Sequence, residues 1–119
     1  MKNTLVIGAS ENPERYAFKA IQSLVKNGYP VIALAKKSGS VSGVVFDTDK
    51  VIYPDIDTVT LYVGAKNQPE YYDYVIQLHP NRVVFNPGTE NEAFETLLTE
   101  KGILVERACT LVLLATNQY

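Results

Sequence analysis

Between Leu5 and Ala35 the chain reads as strand, turn, helix and strand with almost no residues left over, and this unit limits the fold more than any other feature. Leu5-Val6-Ile7 is an uninterrupted apolar run, too short and too β-branched for a helix and suited to a strand buried on both faces. It breaks at Gly8-Ala9-Ser10. After Asn12-Pro13, the residues Ala17, Ala20, Ile21, Leu24 and Val25 recur at helical spacing, which predicts a helix covering one side of a sheet and ending at Gly28. Val31-Ile32-Ala33-Leu34-Ala35 supplies the second strand. A βαβ unit of this kind directs the first turn of its helix out of the carboxyl edge of the sheet, where unpaired N–H groups and the helix dipole attract a phosphate.

The remainder keeps the same rhythm. Lys36 to Gly43 is rich in glycine and serine and reads as a loop, flexible until something binds it, and Val44-Val45-Phe46 reads as a short extra strand at the sheet edge. Thr58 to Val63 is a third strand, closed by Gly64-Ala65. Tyr71, Tyr74, Val75 and Leu78 predict a second helix with Pro69 near its start, stopped by His79-Pro80-Asn81. Arg82 to Phe85 is a fourth strand, ended by Asn86-Pro87-Gly88. A third helix opens at Thr89 or Glu90, with Phe94, Leu97 and Leu98 as its apolar face and Lys101-Gly102 as its finish. Ile103-Leu104-Val105 is a fifth strand, and the tail from Cys109 to Tyr119 fits either a buried helix or a sixth strand, a short helix being favoured.

This alternation predicts a single doubly wound, Rossmann-like α/β domain over residues 1–119, with a mostly parallel five-stranded sheet and helices on both faces. The strand order expected is 3-2-1-4-5. In that order the chain reverses between the first and fourth strands, so the ligand crevice should lie between Gly8-Ala9-Ser10 and Asn86-Pro87-Gly88.

A chain of 119 residues buries roughly two-thirds of its unfolded surface, enough for a core without staples. The net charge of −2 argues against nucleic acid held by phosphate neutralisation, Lys36-Lys37 being the one local exception. The lone Cys109 cannot form an internal disulfide, so a reducing compartment is expected. With no signal-peptide pattern and no apolar run long enough for a bilayer, the expectation is a cytoplasmic protein without a membrane partner.

Gly8-Ala9-Ser10 lacks the spaced glycines of the dinucleotide fingerprint, and two readings of it stand. Either Gly8 merely ends a strand, or Ser10 and the neighbouring amides meet a pyrophosphate with Arg15 adding a bidentate cation. Arg15 reads equally as a solvated helix residue. After the second strand, an NAD-binding fold usually carries an acid for the ribose hydroxyl, whereas this chain has Ala35-Lys36-Lys37. Ammonium groups there serve solubility, or favour a ribose that carries a phosphate, as in NADP or coenzyme A.

The chain resembles the CoA-binding domain that opens the alpha subunit of succinyl-CoA synthetase, and more closely the small stand-alone bacterial proteins made of that domain only. The stretches that carry the likeness are Ile7 to Arg15, Lys36-Lys37-Ser38-Gly39, Val63-Gly64-Ala65, Phe85-Asn86-Pro87-Gly88 and Arg107-Ala108-Cys109-Thr110. The resemblance implies that Ala9, Ser10, Glu11 and Asn12 line the pyrophosphate of CoA or an acyl-CoA, with Lys37 on a phosphate at the adenosine side. It also implies that Gly64 and Ala65 sit against adenine or ribose, and that Asn86, Pro87 and Gly88 face the pantetheine arm. The synthetase's phosphate-accepting histidine belongs to a second domain, and His79 does not match it, so ligase activity is not implied.

No catalytic set stands out. His79 suits a helix end, and Cys109 suits burial as a small apolar residue. Asp47, Asp49, Asp55 and Asp57 read as turn formers. Tyr62, Tyr71, Tyr72 and Tyr74 suit core and interface positions and mark a candidate homodimer surface. The favoured function is non-catalytic binding of CoA or an acyl-CoA. Two rivals stand beside it: an NADP-linked oxidoreductase-like domain, and a Rossmann-like interaction protein with no ligand.

Overall fold

In the computed structural model, which describes residues 2–119, the first apolar run becomes β1 (Thr4–Ile7), followed by α1 (Tyr16–Lys26) and β2 (Val31–Leu34). A small hairpin, β3 (Ser40–Val41) with β4 (Val44–Val45), leads to β5 (Thr58–Leu61). Two 3-10 turns, Ala65–Asn67 and Pro69–Tyr71, precede α2 (Tyr72–Leu78), and β6 (Arg82–Phe85), α3 (Glu92–Glu100), β7 (Leu104–Arg107) and α4 (Thr110–Ala115) complete the chain.

All the pairings in the five-stranded sheet are parallel, and the order is β2-β1-β5-β6-β7. The doubly wound class is therefore as expected, but the neighbours are not all as expected. The third long strand, β5, sits against β1 with Thr4 opposite Thr58 and Ile7 opposite Leu61, rather than outside β2. That outer place is taken by Asp47, which makes a one-residue parallel bridge to Leu34 through Ala35 N to Asp47 O and Asp47 N to Ala33 O. Counting the bridge as a vestigial strand restores a 3-2-1-4-5 start to the order, with β7 as a sixth member. The point of reversal falls between β1 and β5, one strand nearer than expected.

Both faces of the sheet are covered, and alternate residues divide between them. Leu5, Ile7, Val59, Leu61, Val83 and Phe85 pack on α2 and α3 through Val75, Leu78, Phe94 and Leu98. Val6 and Ala33 face α1 and α4 through Ile21, Leu24 and Leu114. Phe85 and Phe94 meet edge to face at 5.7 Å, and removing such a buried ring costs about 3–5 kcal/mol.

The sheet's amino edge is closed by polar contacts. Arg82, 7% exposed, donates from Nε to Thr58 Oγ1 at 3.0 Å and from Nη2 to the Tyr119 carbonyl at 3.0 Å, with Glu106 at 3.2 Å. The Tyr119 hydroxyl and Thr4 Oγ1 lie 2.6 Å apart. A buried cation so fully engaged is structural, and it stands at the end of the sheet away from the first βα turn.

Several boundaries shift for local reasons. The second helix starts one residue late, because the Pro69 segment closes as a tight 3-10 turn first. The third helix starts at Glu92 rather than Thr89 or Glu90: the Asn91 side chain caps Phe94 N, while Thr89 Oγ1 and Glu90 Oε1 hold the preceding turn through Asn86 O and Gly88 N. The loop after β2 contains the β3–β4 hairpin, and Phe46 N reaches back to Gly39 O at 2.8 Å. His79 ends α2 through its left-handed backbone, φ 46°, whose amide meets Val75 and Ile76 carbonyls, so the capping is done by the main chain rather than the ring. Cys109 is half-buried at the N-cap of α4. Tyr71 and Tyr74 are buried in the core.

Candidate functional site

The carboxyl edge of the sheet is a row of aligned strand ends, Leu34, Ile7, Leu61, Phe85 and Arg107 in spatial order. Above it lies an open cleft of about 820 Å³, lined by Gly8 to Asn12, Ala35 to Ser38 and Tyr62 to Gly64 among others. A second lobe of about 470 Å³ runs from Arg15 and Tyr16 to Pro87 and Gly88, and shares Gly8, Ser10, Tyr62 and Gly64 with the first. The two make one groove along the edge.

Gly8 makes that groove shallow enough to enter. Its φ is +93°, and a Cβ there would sit 2.8 Å from Tyr62 O and 2.9 Å from Val63 Cγ2, so only glycine lets the turn pass over β5. The Gly8 and Ala9 amides both donate to Leu34 O, at 3.0 and 3.1 Å, so they are not the donors that a ligand would meet. The next two amides, Ser10 and Glu11, have no partner among the described residues. Ser10 Oγ accepts from Asn12 N at 3.1 Å and Asn12 Oδ1 accepts from Glu14 N at 3.0 Å, two small side-chain turns that hold the loop open. Arg15 is the N-cap of α1 with no side-chain capping bond, and Arg15, Tyr16 and Ala17 line the second lobe.

Glu11 plays a part its position in the sequence does not reveal. Its Oε2 accepts the Ser40 amide at 2.9 Å, and its side chain lies against Gly39, where a Cβ would come within 2.6 Å of Glu11 Cδ. The carboxylate thus clasps the first loop to the second at the wall of the cleft.

The two lysines after β2 separate. Lys36 pairs with Glu70, and that hydrogen bond raises the ammonium pKa and lowers the carboxyl. Lys37 has no acidic or hydrogen-bonding partner among the described residues and lines the cleft.

The remaining expected residues sort by geometry. Gly64, Pro87 and Gly88 line the groove. Ala65 lies in an exposed 3-10 turn and lines neither lobe. Asn86 is 2% exposed and faces inward: Nδ2 donates to Thr60 Oγ1 and Leu61 O at 2.7 and 2.8 Å, and Oδ1 accepts from Thr110 N at 2.9 Å. It ties β5, β6 and α4 together beneath the groove. Beside it, Thr60 and Thr110 bond each other, the Tyr62 hydroxyl is left buried without a partner, and burial pushes its pKa up to about 12.

Phe46, Asn67, Glu70 and Tyr71 complete the cleft and were not expected there. Pro69-Glu70 was the available signal, since a proline turn right after a strand end leaves its neighbours at the carboxyl edge. His79 and Cys109 cannot form a couple. One closes a helix at the amino edge before β6, the other follows β7 at the carboxyl edge, separated by the length of a strand.

A doubly wound parallel sheet with helices on both faces and a glycine turn at its carboxyl edge defines a Rossmann-like class of domain. Within that class the chain belongs to the CoA binding domain family, whose model matches residues 2–115. No curated protein matches it. A solved structure of an uncharacterized protein is 41% identical over 100% of this chain and 98% of that chain, with a TM-score of 0.97. A hypothetical protein from Pyrococcus horikoshii OT3 is 28% identical, covering 93% of this chain and 80% of its own, TM-score 0.85. A Thermus thermophilus protein with 21% identity, 99% and 90% coverage and a TM-score of 0.86 shares the fold. No helix among the described residues is long and apolar enough to cross a membrane.

Proposed function

We propose that the chain binds coenzyme A, or an acyl-CoA, along the groove at the carboxyl edge and performs no chemistry of its own. The observation that carries this reading is the pair of unpartnered amides at Ser10 and Glu11, set behind Gly8 and across the cleft from the unpaired Lys37. Adjacent N–H groups at the mouth of a first βα turn suit a diphosphate, and an ammonium on the far wall suits a further phosphate. The second lobe, walled by Arg15, Pro87 and Gly88, gives the pantetheine arm a continuous path.

Family membership supports the CoA-type ligand over NADPH, and the separation of His79 from Cys109 supports binding over nucleophilic catalysis. A thermal-shift panel tests the reading. CoA at one hundred times its dissociation constant should add about 2.7 kcal/mol, raising the midpoint on the order of ten degrees. NADPH should leave it nearly unmoved. A larger response to NADPH than to CoA would transfer the assignment to the oxidoreductase-like class, and no response to either would leave an interaction protein.

A further inference from the structure

The sheet has two outer strands, and the chain treats them differently. Outside β2, Asp47 bridges Leu34 and closes that side with its own backbone. Outside β7 nothing pairs among the described residues. The Leu104 and Ala108 amides donate to the Asn81 and Phe85 carbonyls, so the N–H and C=O groups of Val105 and Arg107, which alternate with them, point away from the sheet. The Ile103 carbonyl, next in the same row, accepts nothing among the described residues. β7 also lacks the usual defences of an open side. It has no proline and no bulge, and its two charges are drawn over the sheet faces, Glu106 to Arg82 at 3.2 Å and Arg107 to Glu95 at 2.9 Å. Leu104 is left 57% exposed beside them.

An unpaired strand accepts another strand, and this one suits a copy of itself. In an antiparallel pair, opposed residues share a face, so a two-fold axis between identical strands must pass through a residue position. Centred on Val105, its N–H and C=O exchange with those of the copy, and each Arg107 N–H meets the copy's Ile103 carbonyl. Every outward amide of the strand is then used, and the two Leu104 side chains become diagonal neighbours across the axis. Centred on Glu106, two like carboxylates would oppose each other; centred on Leu104, the Arg107 amide would stay unpaired.

We infer that two copies of this chain associate through β7, paired antiparallel about Val105, so that two five-stranded sheets join into one of ten. Tyr71 and Tyr74, buried in the core, take no part. The antiparallel arrangement turns the two carboxyl-edge grooves toward opposite ends, and the association asks nothing of a ligand, so it is independent of the CoA reading. A strand of 4 residues flanked by one exposed leucine makes a small contact. The pair is therefore transient, with a dissociation constant on the order of tens of micromolar.

Sedimentation velocity of the full chain from low-micromolar to submillimolar concentration, with amide-resolved deuterium exchange at both ends of that range, tests the pairing. The natural chain should pass from monomer to dimer, and the Val105 and Arg107 amides should exchange about threefold or more slowly at the upper end. Leu104→Lys, at an exposed position, sets two ammoniums near the axis and should weaken the dimer about tenfold while β6 exchanges as in the natural chain. The exchange measurement decides the matter on the natural chain alone. A chain that stays monomeric throughout, or a dimer that leaves those two amides unprotected or forms equally well with Leu104→Lys, would overturn the inference.

Discussion

The Glu11 carboxylate accepts the Ser40 amide at 2.9 Å and so joins the turn after β1 to the hairpin after β2. Those two segments form opposite walls of the cleft, and nothing in their separation along the chain announces the contact. Loss of one hydrogen bond of this kind shifts local opening by about 0.5–1.5 kcal/mol, roughly two- to tenfold. Glu11→Ala should therefore speed deuterium uptake across Lys36 to Val45 by that factor, with uptake over β6 unchanged. An uptake profile identical to the natural chain would show that the clasp holds nothing.

Gly8→Ala should be strongly destabilising. A positive φ near 93° and a 2.8 Å approach to Tyr62 O combine backbone strain with a clash against main chain, which cannot move aside cheaply. The expected loss is about 2–4 kcal/mol in urea unfolding, from strain of about 1–3 kcal/mol plus overpacking. Gly88→Ala, at φ +92° with open space around its Cβ, should lose less.

Asn86→Ala should cost about 3 kcal/mol, because it strands the buried Thr110 amide and the Leu61 carbonyl together. Tyr62→Phe should do the opposite: deleting an unpartnered buried hydroxyl should leave stability unchanged or raise it by up to about 1 kcal/mol. Urea titration of both variants checks the contrast, and a large loss for Tyr62→Phe would mean that the hydroxyl has a role after all.

Acid stability should depend on Glu95. Arg107 donates to it from Nε and Nη2 at 2.9 and 3.0 Å, and that bidentate bond holds the carboxyl below its ordinary 4.5. A depressed folded-state pKa means that the unfolded chain binds the proton more readily. The stabilisation is therefore complete above about pH 4.5 and lost as pH falls through the lower folded value. Glu95→Gln should flatten part of the acid limb of a stability profile between pH 5 and 3, with Asp57 and Glu70, also depressed, contributing to the slope that remains. An unchanged acid limb would remove the pair from the account.

How far the sequence carried depended on what kind of information each feature needed. Apolar runs such as Leu5-Val6-Ile7 and the face of Phe94 and Leu98 report burial directly, so strands, helices and the two-faced sheet were legible. Strand order was not, since burial on both faces reads the same for any neighbour, and only the Asp47 bridge shows why β5 could move inward. That Gly8 and Lys37 line the cleft at the carboxyl edge was legible, because both follow closely on a strand. The loop clasp of Glu11 and the inward hydrogen bonds of Asn86 were not legible, as a polar side chain beside a strand end looks alike whether it faces a groove or the scaffold. The Lys36–Glu70 and Lys50–Glu70 contacts join residues 34 and 20 positions apart, beyond the reach of any local pattern.

If CoA binds as proposed, the main-chain donors after β1 receive its diphosphate. An amide-resolved NMR titration with CoA tests this most directly. Saturable shifts should be largest at the Ser10, Glu11 and Lys37 amides, with His79 and the amino edge near Arg82 unmoved. Shifts confined to other faces of the domain, or none at millimolar CoA, would contradict it.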